Sequence, residues 1–177
     1  KTTAINQLWQ TDFTYLKIVG WGWYYLSSVL DDFSRFIVAW KLCTTMTAQD
    51  VTATLDLALT ASGLDRRTVV HRPRLLSDNG SSYVAADLAK WLDGKNMEHV
   101  RGAPYHPQTQ GKIERWHQTL KNRILLEHYY LPGALERPVA PFVVRSTPAP
   151  SHQLLHTPTP APPYFALAHP TLPPPHV

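Results

Sequence analysis

Three carboxylates stand out in this sequence by their neighbours. Asp12 lies in "WQTDFTY", Asp78 in "LLSDNGSSY" and Glu114 in "GKIERWHQTLK". The first interrupts a β-rich run, where aspartate is depleted and a buried unpaired charge is costly. The second ends a short apolar run and is followed by Asn79 and Gly80, residues suited to turning a chain. The third falls in the opening turn of a helical pattern, about 100° round from the apolar stripe residue Ile113. Gln118 and Lys121 follow Glu114 on the same face. Each has an ordinary reading: a solvent-facing strand residue beside Gln10 and Thr14, a turn residue, and a charge favourable at a helix N-terminus. Together they form an oxygen-only donor set, which suits Mg²⁺ or Mn²⁺ rather than zinc. Two such ions, about 3.5–4 Å apart, can activate a water or a 3′-hydroxyl and stabilise the leaving oxygen of a phosphodiester.

That chemistry needs no covalent nucleophile, and the sequence offers no Ser-His-Asp or Cys-His arrangement. A Gly-rich phosphate loop is also missing, which argues against an ATP-driven enzyme. The 177 residues suit one domain, and 44% hydrophobic with 17% charged residues is the composition of a globular protein. No membrane-spanning run or secretory signal is visible. The start lacks Met, as expected of a domain from a longer chain. A single cysteine, Cys43, excludes an internal disulfide and a multi-cysteine zinc site, and fits a reducing cytoplasm. A net charge of +4 leans toward an anionic partner.

The carboxylates need elements to hold them. Residues 8–18, "YYLSSVLDD" and "RFIVAWKL" read as three strands. The stretch 47–63 changes to a helical period, with Thr47 as N-cap, Asp50 three residues later and Gly63 as the stop. "PRLLS" is a short strand and "YVAADLAKWL" a helix with Val84, Leu88 and Leu92 on one face. "MEHV" is a fifth strand, and 110–129 a long helix striped by Ile113, Trp116, Leu120 and Ile124. The order predicts a mixed α/β layered fold, in which ligands gather beyond the carboxyl ends of strands. From Pro138 to Val177 lie 12 of the 16 prolines and no glycine. That composition predicts an extended or disordered tail without helices or central strands.

With these elements placed, "WQTDFTY", "LLSDNGSSY" and "YHPQTQGKIERWHQTLK" resemble the three signature blocks of the DDE integrase and transposase superfamily. Between Asp78 and Glu114 lie 35 residues, 79–113, the spacing of retroviral integrases and many insertion-sequence transposases. "VLDDFSRFIVAW" and "LPGALE" add to the likeness, which covers about residues 6–135 and leans toward the bacterial insertion-sequence enzymes. It implies a ribonuclease H-like fold, a mixed five-stranded sheet flanked by helices, with a catalytic core over 1–137 and an irregular Pro-rich tail over 138–177. It further implies DNA cleavage and strand transfer with two Mg²⁺ or Mn²⁺ ions, on transposon ends and target DNA, by homo-oligomers in a bacterial, nucleoid-associated cytoplasm. Carried over by position, Asp12, Asp78 and Glu114 are the metal-binding catalytic triad and Lys121 a DNA contact. Asn79 and Gly80 match the turn that shapes the second carboxylate, and Gly111 follows a mobile loop in "APYHPQTQGK".

His106, Gln108, Lys112, Arg115 and Gln118 surround that loop and helix and could grip phosphates or bases, or belong to a solvated face. Asp31 and Asp32 sit in a hairpin-like turn and read as structural. His99, His106 and His117 read as surface or packing residues, and Trp21 and Trp23 as core or hairpin packing. The tail departs from the family pattern, keeping only His152, Leu155, Thr159-Pro160-Ala161 and Tyr164 at familiar spacing. The resemblance leads one to expect a helix-turn-helix region ahead of the core in a full transposase, and residues 1–11 carry no such pattern. Two alternatives stay open: an inactive remnant serving as a DNA-binding or interaction module, and a nuclease of the same fold.

Overall fold

The computed structural model describes residues 2–18, 21–65, 71–102, 110–124 and 132–146, with the side chains at 124, 132–136 and 145–146 excepted. Strands β1 (Leu8–Ile18), β2 (Gly22–Asp31) and β3 (Ile37–Cys43) form an antiparallel meander. Helix α1 (Ala48–Ser62) then carries the chain across to β4 (Arg74–Ser77), which pairs parallel to β1. The short α2 (Ser81–Val84) and α3 (Ala86–Gly94) lead to β5 (His99–Arg101), parallel to β4. The sheet order is β3-β2-β1-β4-β5, followed by α4 (Gly111–Ile124) and α5 (Pro132–Ser146).

The pleat sends alternate side chains to opposite faces, and the two faces bury different cores. Trp9 and Phe13 of β1 join α1 and α3 through Val51, Leu55, Leu59, Leu88 and Leu92. Leu16 and Ile18 join α4 and α5 through Ile113, Trp116, Leu120, Val139 and Phe142. Gln10, Asp12 and Thr14 therefore lie on the α4 face. Gln10 and Thr14 are buried, so the solvent-facing reading of that face is replaced by one covered by a helix.

Local signals account for most elements. Thr47 and Asp50 form a reciprocal capping box on α1, and Gly63 ends it with φ 68°. The helix expected over 83–92 breaks at Ala85, whose ψ of 139° is extended, and Val84 is exposed rather than part of a buried stripe. Trp21 and Trp23 are 57% and 56% exposed, so core packing is ruled out for them, although Lys17 Nζ sits 5.7 Å from the Trp23 ring. Helix α4 begins as expected; its expected continuation over 125–129 lies outside the described residues.

The C-terminal expectation needs correction. Helix α5 runs through Pro138 and Pro141 to Ser146, where no helix was expected beyond 137. Pro132 occupies its first position, where a missing N–H costs nothing. An interior proline costs about 3 kcal/mol. Val139, Phe142 and Val143 are buried against α4 and the sheet, and each such burial stabilises by roughly 1.5–3 kcal/mol. The packing is large enough to offset the prolines. Residues 147–177 of the tail lie outside the described residues.

Candidate active site

The sheet register brings the first two carboxylates together. Leu8, Trp9 and Gln10 face Arg74, Leu75 and Leu76. Continued two residues past the pairing, this register sets position 78 beside position 12, and parallel neighbours lie about 4.8 Å apart. Asp12 Oδ1 accepts the Phe13 N–H at 2.8 Å. Asp78 Oδ1 accepts the Gly80 N–H at 2.9 Å, folding the carboxylate back over its own turn. Asn79 donates from Nδ2 to Gly102 O at 3.0 Å, and the Gly102 N–H bonds Ser77 O at 2.9 Å. The turn after β4 is thereby tied to the end of β5.

Helix α4 is fixed over β1 by side chains at its first turn. Gln10 Oε1 accepts the Ile113 N–H at 3.2 Å, so a strand residue satisfies one of the helix's orphan donors. Its Nε2 donates to Asp32 Oδ1 at 2.8 Å. Gln110 reaches the Thr11 and Leu76 carbonyls, each at 3.4 Å, bridging β1 and β4. Lys112 Nζ lies 2.6 Å from Asp32 Oδ1 and donates to the Asp32 carbonyl at 2.8 Å. Lys112 thus also braces the fold. Asp32 is structural, as expected. So is Asp31, which accepts from Asn6 N and from Ser34 N and Oγ.

Glu114 follows this anchored turn and is exposed, as are Arg115 and Gln118, with Lys121 half-buried two turns on. Gln118 Nε2 donates to Asn122 Oδ1 at 2.9 Å. His106 and Gln108 lie outside the described residues. Gly111 is the first residue of α4, as its expected place after the loop requires. Among the described residues, no three of His, Cys, Asp and Glu are gathered closely enough to form a metal cluster. Asp12 lies on β1, Asp78 in the turn just after the neighbouring β4, and Glu114 in the first turn of α4, the helix anchored to β1 by Gln10. Like charges repel, and a cation is what three bare carboxylates require in order to converge. The donor set fits Mg²⁺ or Mn²⁺: the candidate ligands are hard oxygens, and the lone thiol, Cys43, is buried in the α1-side core.

Two residues at the site escaped sequence reasoning. His117 is buried on α4, three residues past Glu114, between Ser28 and Asp12. Tyr83 of α2 is buried against Phe13, with ring centroids 6.1 Å apart. Burial first, and then the charges of Asp12 and Asp78, push its hydroxyl pKa well above the ordinary value, while the Thr11 hydroxyl works the other way. Tyr83 is thus a buried neutral hydroxyl in the α1-side core, close enough to both aspartates to feel their charge. The Tyr83 and Thr11 hydroxyls are buried without a hydrogen bond of normal geometry, a polar cost usually tolerated only for a reason. The helical phase of His117 relative to Glu114 was the one signal available in advance.

The integrase core domain family matches residues 2–107. Over 120 residues, 68% of the chain, it is 32% identical to the Gag-Pro-Pol polyprotein of sheep pulmonary adenomatosis virus, spanning 6% of that polyprotein. Over 132 residues, 75% of the chain, it is 29% identical to the transposase InsF for insertion sequence IS3A of Escherichia coli K12, spanning 44% of it. Thus the chain covers less than half the length of either relative. The catalytic domain of Mos1 transposase, solved with raltegravir and Mg, superposes with TM-score 0.67 at 16% identity, covering 78% of this chain and 71% of that one. The HTLV-2 integrase catalytic core domain with magnesium gives TM-score 0.60 at 19% identity, covering 93% and 97%. These two likenesses fix the fold, which is the expected ribonuclease H-like architecture. Among the described residues no helix is long and apolar enough to cross a membrane.

Proposed function

Since this chain belongs to the integrase core domain family, we propose that it is the catalytic core of an insertion-sequence transposase, cutting and joining DNA by in-line attack on phosphodiesters. The observation that supports this reading is the parallel pairing of β1 with β4, whose register if continued would bring position 78 level with position 12, with the Glu114 helix pinned over β1 by Gln10. Asp12, Asp78 and Glu114 would hold the divalent ions, two with DNA bound. When bound, the ions lower the pKa of an attacking water or 3′-hydroxyl and neutralise charge on the leaving oxygen. The protein's share is positional. The Phe13 and Gly80 N–H groups fix one oxygen of each aspartate, and Tyr83 packs against Phe13 behind the strand that carries Asp12. Arg115, Gln118 and Lys121 continue from Glu114 along α4 as the DNA-facing set, with His106 and Gln108 on the preceding loop. Transposon ends and target duplex are the substrates, homo-oligomers on DNA the working form, and a bacterial cytoplasm the setting.

The test is strand joining on a pre-branched DNA substrate with Mn²⁺, which lessens the demand for end-binding domains. Wild type should join, and Glu114→Gln should lose at least about 100-fold, as removal of a group acting at the reacting centre does. Asp78→Asn keeps an oxygen for the Gly80 N–H and should lose activity equally with the fold intact. A well-folded wild type that joins nothing would move the chain to the inactive-remnant reading. Cleavage confined to RNA–DNA hybrids would move it to the nuclease reading.

A further inference from the structure

His117 touches the site without being one of its carboxylates. Its ring is buried on α4 and packs beside Trp116, with ring centroids 5.4 Å apart. Both nitrogens meet polar atoms: Nε2 lies 2.7 Å from Ser28 Oγ, and Nδ1 lies 3.4 Å from Asp12 Oδ2. Ser28 is the cross-strand partner of Asp12 in the β1–β2 register. The three residues thus meet at the seam of β1, β2 and α4. Nε2 makes a hydrogen bond of normal length, and Nδ1 stands within ion-pair distance of a carboxylate oxygen, which packing alone does not require.

The chemistry of the partners decides which nitrogen carries the proton. Neutral imidazole has one donor and one acceptor nitrogen, and an ionised carboxylate only accepts. Nδ1 must therefore be the donor, facing Asp12, and Nε2 the acceptor. The Ser28 hydroxyl supplies the proton to Nε2. Its other neighbour, the Asp12 carbonyl, is 3.5 Å away and competes weakly. We propose that Ser28 and His117 form a positioning device for Asp12. Ser28 fixes the Nδ1–H tautomer, and Nδ1–H restrains Oδ2 while the Phe13 N–H restrains Oδ1. Each carboxylate oxygen keeps a further lone pair for an ion. The 3.4 Å contact is long, as such contacts are before substrate or metal binds. The arrangement inverts the usual metal-site order, in which a carboxylate orients a ligand histidine. It rests on the reading of Asp12 as a metal ligand.

The test begins without metal or DNA. Long-range ¹H–¹⁵N correlation spectra of the imidazole rings, taken where histidine is neutral, should show His117 in wild type as the Nδ1–H tautomer. Ser28→Ala should shift the population toward Nε2–H. An Nε2–H wild type, or a tautomer indifferent to Ser28→Ala, overturns the proposal. Mn²⁺ affinity, followed by electron paramagnetic resonance of the free ion, is the second arm. His117→Phe should weaken binding by about 10-fold with the melting temperature retained, and His117→Asn, which keeps a donor, should recover part of the loss. A folded His117→Phe with wild-type affinity overturns the proposal. Should His117→Phe fail to fold, the wild-type and Ser28→Ala spectra still decide. Wild type binding no Mn²⁺ removes the premise and is a failure of the metal reading, distinct from a wrong tautomer.

Discussion

At Gly80 the backbone angles, φ −59° and ψ 155°, are open to any residue, yet a Cβ there would stand 3.0 Å from Asp78 Oδ1. The glycine is needed for the carboxylate's room rather than for a left-handed turn. Gly80→Ala should therefore leave the thermal melt nearly unchanged while joining on the branched substrate falls by about 10-fold or more, since small misplacements at a reacting centre are costly. A melt that drops in step with activity would mean that the turn itself had failed. The same residue shows what the sequence can and cannot say. Asp78, Asn79 and Gly80 announce a turn by type, and the three carboxylates announce oxygen-donor chemistry by type and spacing. That Gly80 clears Asp78, that Tyr83 packs behind Phe13 and that His117 approaches Asp12 depend on strand register and helix phase, which no local pattern encodes. Lys112 is a mixed case: its type and place two residues before Glu114 suggest a phosphate contact, and the structure adds an ion pair to Asp32 at 2.6 Å that no local pattern announces.

Among the elements, α1 and β1 could be delimited from sequence because their signals are local: a capping box and a left-handed glycine for α1, and a β-rich run ended by a Gly-containing turn for β1. Helix α5 could not, because Pro138 and Pro141 oppose helix formation and only contacts with α4 reverse that. Phe142 carries much of this, with its ring centroid 6.0 Å from that of Trp116. Phe142→Ala should destabilise the protein by about 3 kcal/mol, measured by urea unfolding. An effect below about 0.5 kcal/mol would mean that α5 contributes little to the α4-side core. The second expected helix is split at Ala85, whose extended backbone lets Tyr83 of α2 and Leu88 and Leu92 of α3 all enter the α1-side core.

On the scale of the whole molecule, Asp32 ties distant segments together: Thr2 near the start, Gln10 on β1 and Lys112 on α4 all bond its carboxylate. Burial alone would raise its pKa, but the Lys112 hydrogen bond and charge, with Thr2 and Gln10, outweigh burial and hold it below the ordinary value. A carboxylate depressed on folding adds stability that is fully present above its unfolded pKa, about 3.9, and is lost as pH falls through the folded value. Asp32→Asn should be less stable than wild type at neutral pH, and the gap should narrow below about pH 4; a gap constant with pH would exclude the ion pair as its source. The pairing of β1 with a strand 66 positions later, Leu8 opposite Arg74, has a temporal consequence. Long loops close late, and parallel strands joined across a helix form slowly. Asp12 acquires its neighbour only after α1 has folded back, and Glu114 leaves the ribosome later than either aspartate. In refolding from denaturant, joining activity should return in the last phase, behind the recovery of helical circular dichroism; activity that returns with the first helical signal would contradict this order. On the proposed function, a nascent chain would be unable to act on the DNA around it until its final elements dock.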